Sequence, residues 1–425
     1  MKFRRSTRPS APSQTAPTKA LRLVLKRLKT WAILMTFNES ASDVDAQWMA
    51  QAIAAAARGG RAVRPNPRVG CVLVRDETVV GVGFHAAVGG PHAEAVALRA
   101  AADAARGATA YVTLEPCAHH GRTPPCADAL IGAGVVRVVC AVLDPNPVAA
   151  GGLARLAAAG IEVCVGVGAA KAHRLIEDFV VGALQKRAYV QLKLAATLDG
   201  YTAASDGSSR WITGPLARQR VHAMRAFADA VVVGSGTVLA DNPRLDVRGA
   251  DAMRSEDLGS LRVVLDRRLR TPTDAAVCDV AIAPTRVYTC AMQSGVADPG
   301  FAQRAAALAQ AGVDVIALDA AHGDDAAFLL AVMRDLFARG QFAVLCEGGA
   351  TLAAALLRAG LVDRLELMMA PKLLGGGRPL LHGLGIEAID GAVNLHIDDV
   401  SLVGDDVHFS ARIARTLAST PDLER

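Results

Sequence analysis

Three short stretches constrain this chain more than any others: His92-Ala93-Glu94, Pro116-Cys117, and Cys126 nine residues further on. One imidazole and two thiolates make a three-ligand zinc set that leaves the fourth tetrahedral position to water. The fold has to bring all three side chains to one point. Zinc lowers the pKa of such a water toward neutrality and so makes a nucleophile of it. Glu94 follows the histidine by two residues and is not itself a ligand. It is placed to take the water's proton and deliver it to a ring nitrogen and a leaving amine. His92 and Glu94 open a predicted helix, and Pro124-Pro125 begin another in the position where proline fits best. Cys126 then falls in a first helical turn, where the dipole and the metal both favour thiolate. A structural zinc site would close with a fourth Cys or His, and His119 and His120 lie near enough to raise that reading. It leaves Glu94 and the Pro-Cys placement unexplained.

Around these stretches the pattern alternates. Asp43 to Arg58 has helical periodicity and stops at Gly59-Gly60. Gly70 to Arg75, the turn Asp76-Glu77 and Val79 to Phe84 read as a β-hairpin. A helix over about His92–Ala105, a strand Thr109–Leu114, a helix Pro124–Gly134 and a strand Val135–Leu143 follow, with one more helix-strand pair to about Val167. Strands alternating with ten-residue helices predict a layered α/β sheet. Ala169 to Lys186 reads as a helical connection. Alternation then restarts at the strand beginning Arg187, and continues with Asp229–Gly234, Leu261–Asp266, Thr285–Thr289, Val313–Leu318 and Phe342–Cys346. The predicted division is therefore a leader over 1–42, a first domain over 43–186 and a second over 187–425.

Composition excludes several classes. The net charge of +5 suggests a nucleic-acid binder, yet nine of the 46 basic residues precede Glu39, with no acid among them. The remainder carries 37 basic against 41 acidic residues, a net of −4, so no basic footprint lies on the body. Aromatics at 4% give little material for base stacking. No stretch reaches the roughly 18–20 apolar residues of a membrane helix. The basic leader lacks a cleavage pattern after a proper apolar core. It reads as a disordered tail, a targeting segment, or the product of a mis-assigned start with Met35 as initiator. The eight cysteines show no disulfide framework, which suits a reduced, cytoplasmic compartment. Cys71, Cys140, Cys164 and Cys346 sit in apolar runs and read as small buried hydrophobes.

The His-x-Glu and Pro-Cys pairs match in type the known signature of zinc nucleobase deaminases, H-x-E…P-C-x-x-C; here eight residues separate the cysteines instead of two. The longer segment Glu115 to Cys126, EPCAHHGRTPPC, closely resembles the deaminase–reductase family of riboflavin biosynthesis. Pro65-Asn-Pro-Arg-Val-Gly-Cys, Pro91-His-Ala-Glu and Asp144-Pro-Asn-Pro resemble it too. So do Gln191-Leu-Lys-Leu-Ala-Ala-Thr-Leu-Asp-Gly, Trp211-Ile-Thr, Thr237-Val-Leu-Ala-Asp-Asn-Pro and Ala370-Pro-Lys-Leu-Leu-Gly-Gly. The likeness runs from about Met49 to the C-terminus.

This resemblance implies a cytidine-deaminase-like three-layer α/β/α domain followed by a dihydrofolate-reductase-like α/β domain that binds NADPH. The first domain would hydrolyse the 2-amino group of 2,5-diamino-6-ribosylamino-4(3H)-pyrimidinone 5′-phosphate with zinc on His92, Cys117 and Cys126. Asn66 and His85 would line its pocket and Arg122 would meet the phosphate, as suits a guanidinium beside the zinc loop. The second would reduce the ribosyl chain at C1′ to the ribityl product. Ala195, Trp211, Thr237, Asp241, Arg267, Gly349, Ala350, Thr351, Leu352, Ala353, Ala354 and Ala355 would contact NADP. Lys193, Ser209, Arg225, Leu245, Arg248 and Glu347 would contact substrate, Arg225 and Arg248 as phosphate clamps. Lys193 and Asp241 are the candidate acids.

Read without the resemblance, Gly166-Val-Gly168 is a weak dinucleotide signal. At Glu347-Gly348-Gly349 a strand breaks and a helix begins, which is either an anion-binding turn or an ordinary β-to-α turn. Arg267 departs from the family, whose members carry a small polar residue there. Val148-Ala-Ala-Gly-Gly is about one residue short of the family pattern. A small phosphorylated substrate, a homo-oligomer, and no nucleic-acid or membrane partner are expected. The competing readings are a non-catalytic second half, or a nucleic-acid base deaminase using the leader.

Overall fold

The computed structural model describes residues 42–119, 124–248, 259–290, 300–319 and 324–414, so most of the leader, His120 and Arg122 lie outside the described residues. The chain forms two compact units. One comprises residues up to Ala56 with Val69–Phe84 and His92–Arg174, and the other comprises Ala57–Arg68, His85–Pro91 and Leu175 onward.

The first unit runs α1 (Asp43–Ala56), β1 (Gly70–Arg75), β2 (Thr78–Phe84), α2 (Ala93–Ala101), β3 (Thr109–Val112), α3 (Cys126–Gly132), β4 (Arg137–Cys140), α4 (Gly152–Ala158), β5 (Glu162–Val165) and α5 (Ala169–Leu175). Asp76 and Glu77 both take positive φ, 49° and 56°, giving the two-residue hairpin turn whose twist matches its strands. Among the described residues the sheet order is β2-β1-β3-β4-β5. β1 is antiparallel to β2 and β3, while β3, β4 and β5 are parallel. Helices α2, α3 and α4 bury Ala97, Leu130 and Leu156 against Cys71, Leu73, Val112 and Cys140 on one face. α1 covers the other, completing three layers. Both helix contacts are unusually close, because the strands offer glycine there. A Cβ on Gly70 would lie 2.1 Å from the Ala52 carbonyl of α1. One on Gly81 would lie 2.3 Å from the Ala97 carbonyl, and one on Gly83 2.1 Å from that of Ala93, both in α2.

The second unit runs α6 (Glu177–Gln185), β6 (Tyr189–Thr197), β7 (Tyr201–Ala203), α7 (Pro215–Phe227), β8 (Ala230–Gly234), α8 (Ser235–Asp241), β9 (Leu261–Leu265), β10 (Thr285–Cys290), α9 (Phe301–Gln310), β11 (Asp314–Leu318), α10 (Asp325–Ala338), β12 (Ala343–Cys346), α11 (Ala350–Arg358), β13 (Arg364–Ala370), β14 (Arg378–Pro379), β15 (Leu395–Val403) and β16 (Asp406–Ile413). Its main sheet has the order β11-β10-β9-β8-β12-β6-β13-β16-β15. All its pairs are parallel as far as β13; β16 and β15 add antiparallel. Parallel strands covered on both faces become continuous apolar runs. Val231, Val233, Val264 and Val287 pack toward Leu308 of α9. Val190, Leu192, Val232 and Val344 pack toward Met333 of α10 and Leu356 of α11.

The antiparallel end was not anticipated by the sequence reading, and its side chains explain why. On β13 and β16 the buried residues are mostly polar, with Met368, Ala370 and Ala411 among them, while Leu365, Leu367, Met369, Val407, Phe409 and Ile413 are half-exposed. Glu366 accepts from Gln191 Nε2 (2.7 Å) and Ser410 Oγ (3.1 Å), and pairs with His408 Nε2 at 2.7 Å. Arg364 reaches Glu177 and Asp398 on the same buried face. On β15, Leu395, Ile397, Val400 and Leu402 stay exposed, Leu402 at 76%.

Candidate functional site

His92 is the residue before α2, in an extended conformation, and Glu94 lies in that helix's first turn. Cys117 follows β3. The helix starts later than the prolines suggest: Pro125 is the cap of α3 and Cys126 its first residue, which leaves Cys126 in the first turn as expected. The three ligand atoms lie within 4.8 Å of one another. His92 Nδ1 is 3.2 Å from Cys126 Sγ and 3.7 Å from Cys117 Sγ, and the Cys126 N–H donates to Cys117 Sγ at 3.4 Å. A backbone donor at a helix start favours thiolate. A hydrogen bond from the Cys126 thiol, then one from His92, and after these the Cys126 N–H hold the Cys117 thiol well below its usual range against burial. One imidazole and two sulfurs, buried and converging, fit a zinc ion with an open fourth position.

Glu94 is 3% exposed. Burial pushes its carboxyl up to about 7, against the lowering influence of its own backbone N–H and of His92. A carboxyl near neutrality is suited to carry a proton both ways.

A residue to which the sequence assigned no role holds this geometry. Glu115 is buried beside Pro116-Cys117, and its carboxylate accepts the N–H groups of Asp144 (3.1 Å), Gly151 (2.9 Å) and Leu153 (3.2 Å). It ties the turn carrying Cys117 to the loop after β4 and to the start of α4. The closeness is tight enough to demand glycine, since a Cβ on Gly152 would meet the Pro116 carbonyl at 1.7 Å. The signal was present in the acid directly before Pro-Cys.

In the second unit a cavity of about 860 Å³ opens at the carboxyl ends of β6, β12, β8 and β9. Of the expected contacts, Lys193, Ala195, Ser209, Thr237, Asp241, Arg267 and Glu347 line it, as do Gly349, Ala350, Thr351, Leu352 and Ala355. Gly348-Gly349 opens α11, with Gly349 as its cap. A Cβ on Gly236 would meet nothing within 4 Å, so that wall is left open for a ligand. The volume, the glycine turn at a helix start and the flanking cations fit a dinucleotide.

Other expected contacts sit elsewhere. Ala353 and Ala354 are fully buried on α11. Leu245 is buried in the core beneath α8. Trp211 is exposed and stacks under the Arg218 guanidinium at 4.4 Å. Arg225 forks onto Glu347, and Arg248 pairs with Asp246 at 3.2 Å. Asn66 and His85 meet each other, Nδ2 to Nε2 at 3.1 Å, and His85 Nδ1 lies 3.0 Å from the Pro91 carbonyl. Arg122 is outside the described residues.

Lys193 is half-buried at the cavity wall, and burial together with Arg225 holds its ammonium below the usual range against the pull of Glu347. Burial opposes charge on Glu347 as well, but Arg225 outweighs it and keeps the carboxylate below its usual range.

A cysteine-histidine cluster beside a buried glutamate, on one three-layer unit, and a glycine-turned cavity over a parallel sheet on another define a zinc deaminase joined to a nucleotide-dependent reductase. Comparison with known proteins agrees. The profile of the cytidine and deoxycytidylate deaminase zinc-binding region matches residues 42–142, and that of the RibD C-terminal domain matches 188–409. The riboflavin biosynthesis protein RibD of Escherichia coli K12 is 43% identical over 85% of this chain and 98% of its own length. That of Aquifex aeolicus is 38% identical over 86% and 97%. A structure of Acinetobacter baumannii RibD superposes with a TM-score of 0.72 at 39% identity, covering 88% of this chain and 99% of that one. A Thermotoga maritima deaminase/reductase structure gives 0.71 at 34%, covering 87% and 99%. The chain belongs to the RibD family of bifunctional riboflavin-biosynthesis deaminase–reductases, with zinc and NADPH as its cofactors. No helix among the described residues is long and apolar enough to cross a membrane.

Proposed function

We propose that the chain performs two successive reactions on one phosphorylated pyrimidine: hydrolytic loss of the 2-amino group, then reduction of the ribosyl chain at C1′. The Thermotoga relative's described activities, diaminohydroxyphosphoribosylaminopyrimidine deaminase and 5-amino-6-(5-phosphoribosylamino)uracil reductase, support this substrate. The first reaction belongs to residues 43–186 and the second to 187–425. The observation that carries the reading is the placement of Glu94, buried beside the converging His92, Cys117 and Cys126 side chains.

His92, Cys117 and Cys126 hold the zinc. Its Lewis acidity makes water a nucleophile at neutral pH. Glu94 would take one proton from the water and pass it to the ring nitrogen, then take the proton of the added hydroxyl and pass it to the departing amine. Asn66 and His85 orient the pyrimidine, and Arg122 receives its phosphate.

NADPH supplies the reducing equivalent for the second reaction. Ala195, Thr237, Asp241, Arg267 and the Gly349–Ala355 turn would hold it, with Trp211 contributing from outside the cavity. Ser209, Leu245, Arg248, Arg225 and Glu347 shape the sugar-phosphate end. Lys193 Nζ delivers the proton to the sugar oxygen. Its acidified ammonium, facing the cavity, suits that step better than the exposed Asp241.

The protein acts as a homo-oligomer in the cytoplasm and takes no nucleic acid. The exposed Leu395, Ile397, Val400 and Leu402 of β15 support the oligomer, since a cluster of exposed apolar residues marks an association surface. The mildly acidic body supports the exclusion of nucleic acid.

The test supplies zinc-loaded protein with the diaminopyrimidine phosphate and follows ammonia and NADPH absorbance together. Ammonia first and NADPH loss second is the expected order. Ammonia without NADPH loss removes the second half of the proposal, and neither signal removes both.

A further inference from the structure

Residues 57–68 and 85–91 pack as part of the second unit, although they carry Asn66 and His85, the two side chains assigned to the pyrimidine of the first reaction. Two arginines flank Asn66. The Arg64 side chain is only 6% exposed. Its Nε donates to Asp178 Oδ2 at 2.8 Å, and its Nη1 donates to the Phe227 carbonyl at 2.8 Å and to Asp229 Oδ1 at 3.0 Å. Arg68 donates Nε to the Leu175 carbonyl at 2.8 Å. Both guanidiniums lie over the Phe227 ring, each with its Cζ 4.6 Å from the centroid.

The partners of Arg64 are themselves held. Phe227 ends α7, and Asp229 stands directly before β8. The second oxygen of Asp229 accepts the N–H groups of Phe342 and Ala343, both at 2.9 Å, where β12 begins. Asp178 lies in the first turn of α6. A guanidinium is planar and offers its donors in a fixed fork, so contacts to three residues define both its place and its tilt. The turn it belongs to is tight as well. Asn66 N–H donates to the Val63 carbonyl at 2.9 Å, and Val88 N–H to the Ala62 carbonyl at 2.8 Å. From there Asn66 meets His85, and His85 meets the carbonyl of Pro91, the residue before the ligand His92.

A buried arginine between two carboxylates is weak evidence for stability, because desolvation can cancel the attraction. Directional contacts on one planar group fix a position all the same. We propose that Arg64 is a positioning residue for the deamination: it fixes the turn that carries Asn66, and through Asn66 it sets how firmly the pyrimidine is held. It touches no reacting atom. The inference rests on the reading that Asn66 and His85 orient the pyrimidine.

The experiment measures kcat and KM for ammonia release from the diaminopyrimidine phosphate. It uses the full zinc-loaded chain as wild type, Arg64→Met, Asn66→Ala and the double variant. Losing one hydrogen-bonding side chain should raise KM roughly tenfold in Asn66→Ala. Arg64→Met should raise KM by roughly three- to tenfold while kcat moves less than about twofold, the pattern of lost ground-state binding. The double variant should be no worse than Asn66→Ala, because the arginine acts through the asparagine. Zinc content, and NADPH oxidation with deaminated substrate, should match wild type. Should Arg64→Met fail to fold by its melting curve, Asp178→Asn takes its place with the same expectations, since it keeps the shape and removes one partner. An unchanged KM in the Arg64 variant, a loss of zinc, a fall in kcat alone, or losses that multiply in the double variant overturn the inference and leave the role of Asn66 standing. An unchanged KM in Asn66→Ala overturns both.

Discussion

Arg225 and Glu347 form a two-pronged ion pair, Nε to Oε1 at 2.5 Å and Nη2 to Oε2 at 2.9 Å, with the third nitrogen on the Asp246 carbonyl at 2.9 Å. Both side chains are nearly buried. All three nitrogens of a residue expected to clamp a phosphate are thus engaged within the protein. The pair keeps Glu347 charged beside Lys193, and Lys193 in turn depends on that charge. Arg225→Ala takes both prongs of the fork from a nearly buried carboxylate, and breaking a buried pair in this way costs about 3–5 kcal/mol. We expect a lower melting temperature for the second unit and loss of NADPH oxidation, with ammonia release retained. Thermal unfolding and the paired assay together check this; retained reductase activity would show the pair to be dispensable.

Glu94→Gln removes the proton carrier and leaves the three ligand side chains intact. Ammonia release should fall by at least about 10²-fold, the lower end for a general acid–base group, while zinc stays near one per chain. Cys126→Ser should instead lower zinc content. Metal analysis alongside the assay separates the two, and loss of zinc from Glu94→Gln would make Glu94 a structural residue.

Asp45 anchors α1 to the sheet. Arg137 donates to both its oxygens at 2.7 and 3.0 Å, and the Tyr111 hydroxyl donates at 2.9 Å. The Arg137 hydrogen bonds, against burial, hold its carboxyl near 2, below the usual 3.8. A depressed carboxylate contributes stability that is complete above its unfolded pKa and is lost as pH falls through the folded one. Asp45→Asn should therefore melt below wild type at pH 7. The gap should close as pH drops from about 4 toward 2. A gap that stays constant across that range would assign the effect to packing.

The apolar side of β15 gives the oligomer a direct test. Val400→Lys with Leu402→Lys places two charges on the exposed face and touches no buried group. Light scattering after gel filtration should show wild type larger than one chain and the variant as a single chain at about 10 µM, a concentration at which standard-sized interfaces persist. Ammonia release should be unchanged. A variant that keeps the wild-type mass would place the contact elsewhere.

The metal cluster was legible because its chemistry needs those residue types at those offsets, and Pro125-Cys126 announces its own helix start. The parallel strands were legible for the same kind of reason: burial on both faces writes unbroken runs such as Ala230-Val-Val-Val. The antiparallel end was not. There Arg364, Glu366, His408 and Ser410 are inside and hydrogen-bonded to one another, while Leu402 is outside. A reader expecting apolar residues inside finds the pattern inverted. Trp211 and Arg225 show a second limit. Sequence likeness placed them in a ligand site, but partners from other elements, Arg218 and Glu347, decide where their side chains point.

Gly81 and Gly83 touch neither zinc nor substrate, yet they fix how near α2 stands to β2, and α2 carries Glu94 in its first turn with His92 just ahead of it. A methyl at Gly83 would collide with the Ala93 carbonyl at 2.1 Å and the Ala97 nitrogen at 2.5 Å. The helix could yield only by lifting, and it would carry the ligand and the proton carrier with it. In a saturation survey of the chain, these two positions should tolerate substitution as poorly as the zinc ligands. The reacting geometry is gauged from behind, by two side chains the protein does not have.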